Sequence, residues 1–336
     1  MPSRPTARRA IVPAGLALLA LAAARPFQDE PVVLGEGACS FEWVRGWGGA
    51  LAGGGLGNTH GCVLVDRRGR VLVNTDTAEA VVVFSAEGEK LASWGEQLAG
   101  GLHGMALVEQ GGEEFLYLAH AGRHQVLKAT LDGEILWTVG WPEESKLYAA
   151  QDEYKPTSVA VRPDGGFYVA DGYGKSWIHQ YDAERHYLRS FGGPGSEPGQ
   201  LSTPHGLLLD VRGEQPVLLV ADRENGRLQS FDLDGMFLAI VATDLKRPCH
   251  VHQRGKQLVV PELAGGVVLL DEGNRLIARL GENPDPARRA NNGVTVEHWT
   301  DGQFLSPHCA TFGPAGEVYV LDWNASGRVT KLVPRR

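Results

Sequence analysis

Short apolar runs, separated by polar turns rich in glycine, proline and aspartate, recur along most of the chain. The stretch 204–241 shows the pattern: apolar runs at 207–210, 217–220, 228–231 and 237–241, the last two divided by Asp234-Gly235. Runs of this length between turn residues predict β-strands joined as hairpins. The group of four recurs, and each group opens on a turn, a small or histidine residue, and then the first apolar run. The openings read Thr59-His60-Gly61, Leu102-His103-Gly104, Pro156-Thr157-Ser158, Pro204-His205-Gly206, Pro248-Cys249-His250 and Pro307-His308-Cys309. Their central residues recur at intervals of 43 to 59 residues.

Four strands per repeat, six times over, predict an all-β, six-bladed β-propeller. The sixth repeat supplies only three strands before Arg336. An orphan apolar segment at 41–48 precedes the first opening and ends in Trp47-Gly48, as the fourth runs end in Trp94-Gly95 and Phe191-Gly192. Placed at the outer edge of blade six, it closes the ring and covers a sheet edge. The propeller is thus expected over 38–336.

The first residues read differently. Arg4, Arg8 and Arg9 precede an apolar run at 11–24 that ends in Ala22-Ala23-Ala24, the pattern of a secretory signal peptide over 1–24, with a linker at 25–37. The run is short for a membrane span. A secreted or periplasmic protein with no membrane attachment after cleavage is the expectation. In that oxidising setting Cys39, Cys62, Cys249 and Cys309 permit three full disulfide pairings, and sequence does not choose among them.

Composition agrees with a fold of short strands and tight turns: 44 glycines and 19 prolines in 336 residues, 43% hydrophobic and 21% charged. The formal charge of −8, with no basic stripe, excludes a general nucleic-acid binder. A monomer acting on a small molecule or peptide is the expectation.

Strand direction alternates within a blade, so the loops entering the innermost strands share a face with those joining second and third strands. That face gathers the chemistry-bearing residues. His103, His205 and His308 fall on alternate blades, related by approximate three-fold symmetry about the channel. Three neutral imidazoles with one open position are the donor set of a catalytic zinc ion. His60 or Cys249 in the same ring is an alternative ligand, and histidine is also tolerated as filler in such a turn. On the second set of loops, Tyr173 suits proton transfer and Arg223 suits a carboxylate clamp. Tyr173 packing in its loop, or Arg223 pairing with Asp222 or Glu224, is the plainer alternative. His120, His124, His179, His186, His250, His252 and His298 show no comparable spacing and read as surface or packing residues.

Asp171-Gly172-Tyr173, Pro204-His205-Gly206 and the stretch from Ala221 to Arg227 resemble the lyase domain of peptidylglycine α-amidating enzymes, a six-bladed propeller of NHL-type repeats. The resemblance is specific over 156–232 and again at Pro307-His308. It implies zinc on His103, His205 and His308, a catalytic tyrosine at Tyr173 and an active-site arginine at Arg223. It also implies cleavage of the C–N bond of a peptidyl-α-hydroxyglycine, giving an amide and glyoxylate. Two positions depart from it. The family's first-blade arginine has no counterpart near Val73-Asn74-Thr75-Asp76, and Cys309 stands where an aspartate binds structural calcium. A non-catalytic propeller that binds a peptide, glycan or protein on the same face is the rival reading. A calcium-dependent lactonase would need oxygen ligands where this ring offers imidazoles, and a streptogramin-type lyase has seven blades.

Overall fold

A computed structural model describes Met1 and residues 30–335. The signal segment 1–24 and the first part of the linker lie outside the described residues, Met1 apart. Six antiparallel sheets follow one another, and their innermost strands are Val63–Val65, Leu102–Gln110, Ser158–Val161, Pro204–Asp210, His252–Arg254 and Pro307–Phe312. Each packs on the next, and the sixth on the first, so the ring closes on six blades as the repeat count requires. In blade four the strands are Pro204–Asp210, Val217–Asp222, Arg227–Phe231 and Phe237–Ala242, which contain the four apolar runs.

Burial follows the position of a strand within its blade. In blade one the second and third strands, Val71–Asn74 and Val81–Phe84, are buried at every residue, because neighbouring blades cover both faces. The outer strand Lys90–Trp94 is exposed over its first three residues. The apolar clusters lie between successive blades; one joins Leu219, Ala221 and Leu228 of blade four to Leu258, Val260 and Val268 of blade five.

The aromatic-glycine signature has a physical cause. Trp94 Nε1 donates to the Leu131 carbonyl (3.0 Å) in the hairpin between the third and fourth strands of the next blade. There Gly133 adopts φ +93°, and a β-carbon on it would sit 2.7 Å from the Trp94 ring. Phe191 lies in the same way against Gly235. Trp47 repeats the device across the ring closure, donating to the Ala86 carbonyl (2.9 Å) and packing on Phe84 and Tyr319.

The closure itself differs in detail from the expectation. Phe41–Trp43 pairs antiparallel with Arg328–Pro334, Phe41 opposite Pro334 and Trp43 opposite Leu332. The strand stops at Trp43, short of Gly48, because the chain turns at 45–48 to carry Trp47 onto blade one. The linker expected over 25–37 contributes a fifth strand, Val33–Leu34, outside it. All four cysteines are free thiols. Among the described residues no helix is long and apolar enough to cross a membrane.

Candidate metal centre

His103, His205 and His308 each occupy a one-residue bulge at the start of an innermost strand, where the register slips between Leu102 and Gly104, Pro204 and Gly206, and Pro307 and Cys309. A bulge re-aims a side chain that the regular pleat would send into the sheet. Here it turns three imidazoles into the channel. Their ring centroids stand 4.7, 4.7 and 4.9 Å apart, close to an equilateral triangle, and each side chain is buried.

Their orientation is fixed by the adjoining blade. Nδ1 of His103 meets the Thr157 carbonyl, that of His205 the Cys249 carbonyl and that of His308 the Gly61 carbonyl, each at 2.8 Å. A carbonyl only accepts, so each Nδ1 carries the proton and each Nε2 is left with a lone pair. Burial, reinforced by neighbouring cationic and imidazole groups, holds all three well below the usual histidine range, and they are neutral at pH 7.

These contacts also correct the register of the first repeat. The acceptors at blades three and five are Thr157 and Cys249, so their equivalent at blade one is Gly61, and His60 lies one residue before the ring position. Glycine is required there, since a β-carbon would fall within 1.9 Å of the Asn74 amide. The ring therefore alternates carbonyl acceptors with imidazoles.

The second set of loops is tied to the first by buried acids at the ends of second strands. Asp171 accepts from the Lys155 N–H (2.6 Å), Asp222 from Ser202 (2.7 Å) and Asp322 from Ser306 (2.7 Å), each in the loop entering the innermost strand. Tyr173, held in this way, places its hydroxyl among three imidazoles: 2.9 Å from His205 Nε2, 3.1 Å from His60 Nε2 and 3.3 Å from His103 Nε2. Arg223 donates to the same oxygen from NH1 (3.2 Å), lies 5.3 Å from the ring centroid, and pairs with Glu224 through Nε (2.9 Å). Burial pushes the Tyr173 phenol up to about 12, against the pull of Arg223.

The structure thus brings all five expected residues to one mouth of the channel. The two alternative ligands stand beside them: His60, also held below its usual range mainly by burial, and Cys249, whose thiol burial pushes up to about 11. Two overlapping sets have all ligand atoms within 4.8 Å of one another: His60, His103 and His308, and His205, Cys249 and His308. The expected trio is divided between them. Sequence reasoning missed Arg247. It shares Glu224 with Arg223 (2.7 Å), and its buried Nε has no hydrogen-bond partner. The only signal was its place beside Pro248 in a loop entering an innermost strand.

The donor set fits a cation. His103, His205 and His308 present three lone pairs to a space where the Tyr173 hydroxyl has one proton to give, and His308 Nε2 is buried with no partner at all. An acceptor-only cluster out of water is costly unless a positive charge satisfies it.

No model of a protein family matches the chain. It is 28% identical over 267 residues, 76% of its length, to the peptidyl-glycine α-amidating monooxygenase B of Xenopus laevis, of which it spans 29%. It is 28% identical over 272 residues, 74% of its length, to peptidyl-α-hydroxyglycine α-amidating lyase 1 of Drosophila melanogaster, and spans 48% of that protein. Among solved structures, a gluconolactonase of Xanthomonas campestris superposes with a TM-score of 0.62 at 14% identity, over 92% of this chain and 96% of the other, a likeness of fold alone. The chain is a six-bladed β-propeller, consistent with the NHL type, that resembles the peptidyl-α-hydroxyglycine α-amidating lyases in sequence.

Proposed function

We propose that this protein is an exported lyase that cleaves the C–N bond of a peptidyl-α-hydroxyglycine, with zinc held by His103, His205 and His308. The observation that carries the reading is the triangle of three buried imidazoles, with ring centroids 4.7 to 4.9 Å apart, whose Nδ1 protons are committed to backbone carbonyls and whose Nε2 lone pairs are left free for a metal. Zinc bound there would polarise the substrate's α-hydroxyl and favour its ionised form. Tyr173 takes the hydroxyl proton. The oxygen's electron pair then forms the carbonyl of glyoxylate, the C–N bond breaks, and the proton passes to the departing amide nitrogen. For that role the phenol must come down from about 12, and the Arg223 NH1 donor already favours its ionised form. Arg223 and Arg247 stand ready for the substrate carboxylate, a planar fork matching a planar anion.

The test is zinc content and glyoxylate release measured together on wild type and the single substitutions His103→Ala, His205→Ala and His308→Ala. Each substitution is expected to remove most of the metal and all turnover while the circular dichroism spectrum stays that of the propeller. Tyr173→Phe should keep the metal and lose about 10²–10⁴ in rate. Wild-type protein that takes up no zinc on loading would overturn the proposal and leave a binding propeller.

A further inference from the structure

One residue further along the innermost strands lies a second ring of positions, of which Cys62, Ser158 and His250 line the channel cavities. It is formed by Cys62, Gly104, Ser158, Gly206, His250 and Cys309, each following a residue of the first ring. Blades two and four carry glycine because a β-carbon there would meet the neighbouring backbone, at 2.3 Å from the Thr157 carbonyl oxygen and 2.7 Å from that of Cys249. Side chains remain on blades one, three, five and six, and those of blades five, six and one are neighbours in the ring. Their ligand atoms, the two sulfurs and a His250 ring nitrogen, all lie within 4.8 Å of one another.

His250 is fixed by the device that fixes the upper histidines. Its Nδ1 meets the Ala310 carbonyl of the next blade at 3.2 Å, which places the proton on Nδ1 and leaves Nε2 a free donor pair. The histidine lines both a small cavity of about 10 Å³ beneath the upper ring, room for a single water or ion, and a cavity of about 390 Å³ along the rest of the channel. Cys62 and Cys309 are buried and not joined in a disulfide; their thiols hydrogen-bond to each other, and Cys309 Sγ donates to the Val63 carbonyl (3.6 Å).

We propose that Cys62, His250 and Cys309 form a second metal site, for one thiophilic cation, in the channel below the histidine cluster. Two sulfurs and an imidazole nitrogen are a soft to borderline donor set, suited to Zn²⁺ or Cu⁺ and unsuited to calcium. A tetrahedral zinc with sulfur at ~2.3 Å sets its sulfurs about 3.8 Å apart, so donors within 4.8 Å close on it by small rotations. Binding releases the two thiol protons to solvent. A path for the ion is present, since His250 borders the larger channel cavity. The site stands whether or not the histidine cluster is a lyase centre.

Cobalt(II) is the probe, because thiolate ligation gives a near-ultraviolet charge-transfer band that imidazole ligation lacks. Protein reduced with a phosphine should bind two equivalents, one of them with the band. Cys62→Ser/Cys309→Ser should bind one and lose the band; Cys249→Ser should keep it, and so should His103→Ala, which loses the other equivalent. If the paired serine variant does not fold, His250→Gln decides, since it keeps both thiols and is expected to lose saturation of the band at one equivalent. Absence of the band in reduced wild type, or its survival without Cys62 and Cys309, would overturn the site. So would a Cys62–Cys309 disulfide, seen as a mass lower by two hydrogens before reduction, in protein that shows no band after it.

Discussion

At the scale of single residues, the site is a contest over one phenolic oxygen. Three imidazole nitrogens and one guanidinium meet the Tyr173 hydroxyl; those of His103 and His205 carry lone pairs, and the guanidinium donates. In the proposed reaction Arg223 has two duties, to temper the phenol and to offer its remaining face to the substrate carboxylate. Arg223→Lys keeps the charge and loses the fork. A hydrogen bond to a charged group is worth about 1.5–3 kcal/mol, so KM for an N-acyl-α-hydroxyglycine should rise by about 10- to 100-fold. The uncharged amide of the same compound should be turned over as before. Equal losses on both compounds would remove the clamp and leave Arg223 as the partner of Glu224. Tyr173, Arg223 and the alternate-blade histidines were legible because residue type and repeat position coincide. His60 was not placed correctly, because sequence does not show which residue of Thr59-His60-Gly61 takes the ring position; the Asn74 amide, against which only glycine fits, decides that. His250 was passed over because it falls one residue beyond the ring that draws the eye. Arg247 shows its place only through the unpartnered Nε and the shared Glu224.

At the scale of elements, strand count and order follow from alternating runs and turns, and the ring closure from an apolar segment with no other place to go. The end of that segment did not follow. Trp47 has the signature of a strand end but reaches its hairpin from a turn, so the motif records what the aromatic covers and not how its backbone is held. Phe41, Trp43 and Trp47 are each 5% exposed, and burying a large apolar side chain contributes about 1.5–3 kcal/mol. A chain shortened to begin at Ala50 should therefore melt at a markedly lower temperature, and the bared edge of Arg328–Pro334 should promote self-association. Calorimetry together with light scattering would check this. An unchanged melting temperature in a monomer would mean that the seam contributes little.

At the scale of the whole molecule, the buried histidines dominate the response to acid. Eight are held below their ordinary value chiefly by burial, among them His120 and His250 at about 4 and His179 and His252 at about 3. Below the unfolded value of 6.5 the unfolded chain binds protons that the folded chain refuses, so stability falls as pH falls. Each histidine contributes up to about 1.4 kcal/mol per pH unit until its folded value is reached. Asp171, raised to about 6 by burial, and Asp322, raised likewise, work in the opposite direction, losing stability as pH rises toward their folded values. Two carboxyls do not offset eight imidazoles. The urea midpoint should drop steeply between pH 6.5 and 5; a flat profile over that interval would contradict the buried, neutral histidines.

The three anchors of the imidazole triangle are unequal in one respect. Those of His103 and His205 join successive blades, with 54 and 44 residues between the partners, whereas that of His308 reaches back 247 residues to Gly61. Loop-closure entropy delays contacts between distant parts of a chain. A polypeptide emerging and folding blade by blade thus carries two corners of the triangle early and gains the third only when its last repeat meets its first. The cluster is in effect a completion signal. A ligand that needs all three corners is captured only by chains whose ends have met, and by mass action it then holds them together.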